Sequence, residues 1–422
     1  MTVPLAAQQN PDSPDSTQKS PTNPQQPAGN DPANLIPDDL SEDSLDTDQD
    51  PAAADRQVNA ISSGQTTQSL LQFNDQSGRS YSLDIMAAAD FLGQWDNDEP
   101  HTTGNRFDAR EVEFGFMADI DHIAEGTVMA AAHQEAGETV FELHEAYFYI
   151  PSTPIPNLSA RVGQFFLDVG RLNTIHRHDW LFSVAPEVHE EMLDEEGAED
   201  SGLELSYLIP WPWQSFVQEL TVGAFNGRTF GHTHNDGDNK NNPLYTAHLK
   251  QFIGFNNAWG TQFGFSYLRY HPSVEPHKVM HQSGLDWFLK WKPDVHRSLI
   301  FQTEVWYRET REKNERPYDP AATPVETRVG VYSLLEFQFH RQWSAGYRYD
   351  FYTNPNYINE DGIKQKENGH AGNMLQLTWR PSEFSYFRAT AQRNTTIETG
   401  KNTYQFFLQG TFIIGMHPAH SY

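Results

Sequence analysis

From about Tyr81 onward, apolar and polar residues alternate with a period of two. Tyr81, Leu83, Ile85, Ala87, Ala89 and Phe91 form one apolar row; Val112, Phe114, Phe116, Ala118 and Ile120 form another, with Glu111 and Glu113 among the intervening residues. Leu285, Trp287, Leu289 and Trp291 alternate with Asp286 and Lys290. Leu299, Phe301, Thr303, Val305 and Tyr307 alternate with Gln302, Glu304 and Arg308. Successive side chains of a strand point to opposite faces, so such rows predict strands with one apolar and one polar face. Sixteen segments carry the pattern: 80–95, 107–121, 125–135, 139–151, 158–170, 201–211, 215–227, 244–256, 259–271, 280–292, 297–310, 327–340, 343–354, 370–381, 384–396 and 402–415. Soluble strands have a mode of about 5–6 residues. Most of these are far longer, and a tilted membrane-crossing strand needs about 9–11.

The connections sharpen this. Long ones (96–106, 171–200, 228–243, 311–326, 355–369) alternate with short ones (121–124, 212–214, 293–296, 341–342, 381–383), while the third and fourth are similar in length. Outer-membrane barrels have an even strand count, short periplasmic turns and long extracellular loops. A soluble sandwich, jelly roll or propeller needs no such alternation. The expected fold is therefore all-β: a 16-stranded antiparallel transmembrane β-barrel over 80–422, both ends periplasmic. Aromatics near strand ends (Trp95, Tyr149, Trp211, Trp213, Trp259, Tyr270, Trp291, Trp343, Trp379, Tyr386) are expected to form interfacial girdles.

Composition narrows the function classes. The 422 residues include no Cys, which excludes disulfides, thiolate zinc sites and a cysteine nucleophile. The net charge of −28 argues against nucleic-acid binding, which needs a basic footprint. Only 37% of residues are hydrophobic, as a barrel presenting every second residue to lipid allows. No run of 18 apolar residues predicts a spanning helix. Residues 1–57, rich in Pro, Gln, Asn, Asp and Ser, read as a disordered acidic tail without a signal peptide, and 58–79 as a linker. By topology the tail is periplasmic, where it would recruit a basic periplasmic partner.

The polar positions of the strands are expected to line the pore: Glu204, His248, Asp286, Lys290, Glu304, Arg308, Glu336, Arg348, Asp350 and Arg388. These ions either pair among themselves or form a basic wall opposite an acidic loop. The third extracellular connection, 171–200, is the loop in question. It holds nine acids and no base from Asp179 to Asp200, yet also Trp180, Leu181, Phe182, Val184, Val188, Met192 and Leu193. So apolar a loop is expected to fold inward and narrow the pore, with Asp179, Trp180, Glu187, Glu190 and Glu191 at the constriction; the alternative is a cap packing outside.

Of 18 His, about ten fall in predicted extracellular loops. His176 with His178, and His232 with His234, are His-x-His pairs; His417 and His420 form a third pair near the end. On extended backbone, residues i and i+2 point the same way and can share a metal. His176, His178 and His189, amid carboxylates, are the candidate ligands for a transiently bound divalent transition metal such as Zn. An incidental origin of the pairs competes with that reading. No Ser/His/Asp arrangement, paired-carboxylate signature or phosphate-binding glycine loop points to an enzyme.

Two segments carry a family resemblance: Arg161-Val-Gly-Gln-Phe-Phe through Gly170-Arg-Leu-Asn173 to His176-Arg-His178-Asp179, and Phe412-Ile-Ile-Gly-Met-His417-Pro-Ala-His420-Ser-Tyr422. Trp379-Arg-Pro-Ser-Glu-Phe-Ser385 and Gly346-Tyr-Arg-Tyr-Asp350 add to it. Over roughly residues 80–422 the chain resembles bacterial outer-membrane porin-like barrels, loosely related to the phosphate-selective porins. The resemblance implies a porin-like barrel embedded among outer-membrane lipid and lipopolysaccharide, trimeric by analogy. Phosphate-selective porins use a Lys/Arg ladder, which an acidic loop contradicts. The expected function is diffusion of small hydrophilic solutes with a cation preference, extending to transition-metal uptake. The competing expectation is a sheath or anchor around a periplasmic or electron-carrying partner.

Overall fold

The computed structural model describes residues 71–74, 80–97, 105–135, 138–194, 196–227, 243–256, 258–271, 278–312, 325–354, 357–358, 364–365 and 369–415. The tail 1–57 and the pairs His232/His234 and His417/His420 lie outside the described residues.

The strands are β1 (Leu71–Asn74), β2 (Ser80–Asp96), β3 (Arg106–Asp119), β4 (Glu125–Glu135), β5 (Glu138–Ile150), β6 (Leu158–Phe166), β7 (Glu199–Ile209), β8 (Phe216–Phe225), β9 (Leu244–Asn256) and β10 (Trp259–Tyr270). They continue with β11 (Lys278–Trp291), β12 (Ser298–Glu312), β13 (Val325–His340), β14 (Trp343–Thr353), β15 (Tyr357–Ile358), β16 (Lys364–Gln365), β17 (His370–Ser382), β18 (Ser385–Thr396) and β19 (Asn402–Gly415). From β2 each long strand runs antiparallel to the next, and β14 pairs directly with β17. The ring closes where β19 pairs with β2, from Gln405↔Asp96 to Gly415↔Met86. Sixteen strands thus make a closed antiparallel barrel with no free edge. All sixteen predicted segments are present.

Several boundaries differ from expectation. β1 pairs with Ser80–Leu83, inside the segment read as a linker. β15 and β16 form a separate small hairpin within the 354–369 connection. The fifth segment stops at Phe166 rather than 170: pairing with β7 ends at Phe166↔Glu199, and the chain then turns through Gly170, whose φ is +62°. The β4–β5 connection spans only 136–137, shorter than the turns flanking it.

Burial is inverted relative to a soluble domain. Leu285 is 58% exposed and Leu375 63%, while Arg348 and Glu304 are at most 1% exposed. Cross-strand neighbours Phe265, Leu285 and Val305 continue one exposed apolar row around the outside. Such a belt on a closed barrel is what lipid covers, so the chain is an outer-membrane barrel rather than a soluble sheet.

Six tryptophans gather beside the short turns: Trp211 against Trp213, Trp259 against Trp291, and Trp343 against Trp379, with ring centroids 5.8, 5.8 and 6.1 Å apart. Trp95 and Phe406 mark the opposite end. Three expected girdle residues belong elsewhere: Tyr149 lines an inner cavity beside Tyr147 and Arg161, and the other two are Tyr270 and Tyr386. Tyr270 is buried in the core, and the Tyr386 hydroxyl donates to the carbonyl of His178. All three sit at positions of the inner face, which proximity to a strand end does not reveal.

Candidate functional site

The connection between β6 and β7 packs against the buried residues of the wall. Its neck is pinched by Leu167 N–H donating to Ala198 O at 2.9 Å, continuing the Phe166↔Glu199 pairing. Asn173 secures the neck, its Nδ2 donating to Leu167 O and Ala198 O at 2.8 and 2.9 Å. Beyond it come two short 3-10 turns, Leu172–Thr174 and Arg177–Asp179, and a helix, Glu187–Leu193. The helix buries Val188, His189, Met192 and Leu193, and its other face carries Glu187, Glu190 and Glu191. Leu172, Trp180, Phe182, Val188 and Met192 form one core with Tyr270, Trp306, Tyr332, Leu334, Tyr352 and Met374 from the buried face of the wall.

Polar contacts hold the same segment to strands spread around the ring. Gly170 N–H donates to Ser266 Oγ at 2.8 Å, and Leu172 N–H to Glu304 Oε1 at 2.8 Å. Arg348 donates to Val184 O and Ala185 O, Arg388 to Trp180 O at 3.0 Å, and Arg308 to Met192 O. Glu191 meets Arg328 at 3.0 Å and accepts from the Tyr352 hydroxyl at 3.2 Å. Glu187 pairs with His370, and Glu190 is exposed. Asp179 lies 3.6 Å from His178 Nε2, and Trp180 Nε1 donates to Ile175 O.

The predicted pore-lining residues all lie on the face opposite the apolar belt. Lys290 is half-buried there. Glu204 pairs with Arg161 at 2.7 Å. His248 bridges Asp168 at 2.9 Å and Asp286 at 3.3 Å. Glu336 accepts from Ser344 Oγ at 2.6 Å. Asp350 accepts from Arg348 Nε at 2.9 Å. Pairing among the wall ions holds for Arg348 with Asp350, but Arg308 and Arg388 follow neither expected pattern, and all three arginines reach the docked segment. Their guanidiniums satisfy backbone carbonyls of the docked segment, which lack partners because that segment forms so little regular structure.

His176 and His178 lie side by side, their rings 5.7 Å apart, and join residues that sequence reasoning missed. Their Nδ1 atoms lie 3.0 Å from Glu113 Oε1 and Oε2 respectively. His144 Nδ1 is 3.5 Å from Glu113 Oε1, and His133 and His144 face each other with Nε2 atoms 3.1 Å apart. Glu196 Oε2 is 3.2 Å from His144 Nε2, and Glu142 Oε2 is 3.9 Å from His133 Nε2. Glu145 Oε2 lies 3.4 Å from His176 Nε2. Burial would lower the pKa of both loop histidines, but the surrounding carboxylates outweigh it: His176 rises well above its ordinary value and His178 to about 10. Burial would likewise raise Glu196, yet His144 and Arg177 bring it down to about 2. The missed signal was a cross-strand one: Glu111 and His133 are direct partners in the β3–β4 register.

His189 is not with them. It is 1% exposed, its ring stands edge-on to Trp180, and neither ring nitrogen has a hydrogen-bond partner among the described residues. Burial, reinforced by the Arg177 charge, lowers its pKa to about 3. Its helix turns it into the apolar core, so the expectation that it joins His176 and His178 fails on geometry.

Among the described residues, three sizeable cavities flank the segment. One of about 530 Å³ lies towards the long connections, lined by Glu187, Glu190, Glu191, Glu196 and Asp350 against Arg106, Arg110 and Arg177. Two of about 380 and 350 Å³ lie towards the short turns. Of these, the smaller is lined by Asp84, Asp119, Glu125 and Glu145 against Arg161. The histidine cluster stands between the two ends, with His133 reaching the first cavity and His176 the last.

No family model matches the chain. It is 28% identical over 313 residues to an uncharacterised protein of Aquifex aeolicus (strain VF5), covering 68% of this chain and 64% of that protein. The chain thus spans under two thirds of that relative's length. Among solved structures it resembles an anion-selective porin from Comamonas acidovorans, with a TM-score of 0.53, 8% identity, and coverage of 79% of this chain and 100% of that one. It also resembles OmpT, an outer-membrane protein of Vibrio cholerae in a trimer form, with a TM-score of 0.50, 9% identity and coverage of 79% and 99%. At such identities the likeness establishes the fold, that of the outer-membrane porin barrels.

Proposed function

We propose that this chain is a porin-like diffusion channel that favours cations, with the 167–198 connection lying inside the lumen as its constriction. The observation that carries the reading is the acidic lining next to that segment. The larger cavity has five carboxylates against three guanidiniums, and the smallest has four against one. Fixed negative charge in a confined aqueous path raises the local cation concentration and repels anions. This sets the chain apart from the anion-selective neighbour of the same fold. Assembly as a trimer is part of the proposal, supported by a neighbour described in trimer form.

Planar-bilayer recording tests it. Under a KCl gradient the reversal potential takes the sign of a cation-selective pore. Glu187→Gln, Glu190→Gln and Glu191→Gln together move it towards zero. A wild-type channel that is anion-selective refutes the charge argument, and a closed one favours the sheath reading.

A further inference from the structure

We propose that the cluster around His133 and His144 binds one divalent transition metal, which ties the 167–198 connection to the wall at β4 and β5. It deepens the channel reading, on which it rests only for its effect on conductance.

Donor spacing comes first. Ligands about 2.0–2.1 Å from a tetrahedral zinc stand roughly 3.3 Å from one another. His133 Nε2, His144 Nε2 and Glu196 Oε2 are spaced at 3.1 and 3.2 Å along the row, with Glu142 Oε2 at 3.9 Å from His133. All four donors fall within one small sphere, two from imidazole and two from carboxylate. With no thiolate in the chain, this set suits zinc, cobalt or nickel.

The surroundings supply the second observation. Metal-bound imidazoles commonly turn their other nitrogen to a carboxylate, which fixes ring orientation. His144 Nδ1 faces Glu113 at 3.5 Å, and His133 Nδ1 faces the other Glu196 oxygen at 3.2 Å and Glu111 at 3.7 Å. Glu113 is fully buried and also lies 3.0 Å from His176 Nδ1 and His178 Nδ1, so it anchors His144 within a network that reaches the connection. The facing Nε2 atoms of His133 and His144 stand close enough for both to turn a lone pair to one metal.

The donors also come from two bodies. His133, His144 and Glu142 belong to the wall, while Glu196 belongs to the connection just before β7. A bound metal therefore fastens the segment where it crosses between the two cavities.

The test uses the full chain, stripped with chelator and folded in detergent. Zinc titrated into it by calorimetry binds once per chain with a Kd below about 10 µM. Cobalt gives the visible bands of a tetrahedral centre. Glu196→Gln, a change confined to the connection, weakens zinc about tenfold or more. His133→Gln with His144→Gln abolishes it, and His281→Gln, on another strand, leaves it unchanged. Absence of zinc binding by the folded wild type, or equal binding by Glu196→Gln, overturns the proposal, and the second result decides even if the double variant does not fold. Conductance of the metal-free channel is read separately: an open pore that binds no zinc removes the site and leaves the channel reading standing.

Discussion

Arg388 on β18 donates its Nη2–H to the backbone carbonyl of Trp180 at 3.0 Å, across 208 residues of sequence. The same side chain donates to Thr378 and Gln409 at 3.1 and 2.8 Å and is 2% exposed. A wall residue is thereby spent on holding the β6–β7 segment in place.

Arg388→Met keeps the side-chain bulk and removes these donors. A hydrogen bond to a charged group contributes about 1.5–3 kcal/mol. The segment should then open roughly ten- to a hundredfold more often. Glutamyl-specific proteolysis at exposed Glu190 and Glu191 reads this rate. Cleavage as slow as in the wild type shows that Arg388 does not hold the segment.

The outer belt predicts a different outcome. Leu285 is 58% exposed midway along β11, between Phe265 and Val305. Leu285→Arg places a charge in the hydrocarbon core at a cost of about 2–4 kcal/mol. Urea unfolding in lipid vesicles should register that loss. A neutral result would mean that this face does not meet lipid.

His189 makes the interior sensitive to acid. Its pKa is lowered to about 3 in the folded chain, against about 6.5 when unfolded. The unfolded state therefore binds more protons between those values, and stability falls as pH drops from about 6.5 towards 3. It is fully present above 6.5. His189→Leu keeps an apolar side chain against Trp180 and removes the titration. The urea midpoint should then change less between pH 7 and pH 5 than in the wild type. An equal change assigns the sensitivity to other groups.

Much of the wall was legible beforehand because a strand advertises its faces locally. Leu285, Asp286 and Trp287 reveal inside and outside within three residues, and the same holds along every long strand. The set of residues on the face opposite the apolar belt followed from that alternation alone. Tyr149, Tyr270 and Tyr386 were misplaced because an aromatic near a strand end looks the same whether it points to lipid or inward. His189 was misplaced because a short helix, not extended backbone, sets its direction. His133, His144 and Glu113 were passed over because each looks ordinary in its own strand.

What the sequence alone determined is the barrel: sixteen strands, their order and their apolar face follow from a period-two pattern that neighbouring residues carry between them. Only the tertiary structure decided what the interior does. Where Arg388 meets Trp180, or Glu113 meets His176, depends on closure of the ring and on the register between distant strands. Those contacts form between segments tens to hundreds of residues apart, so no local pattern encodes them.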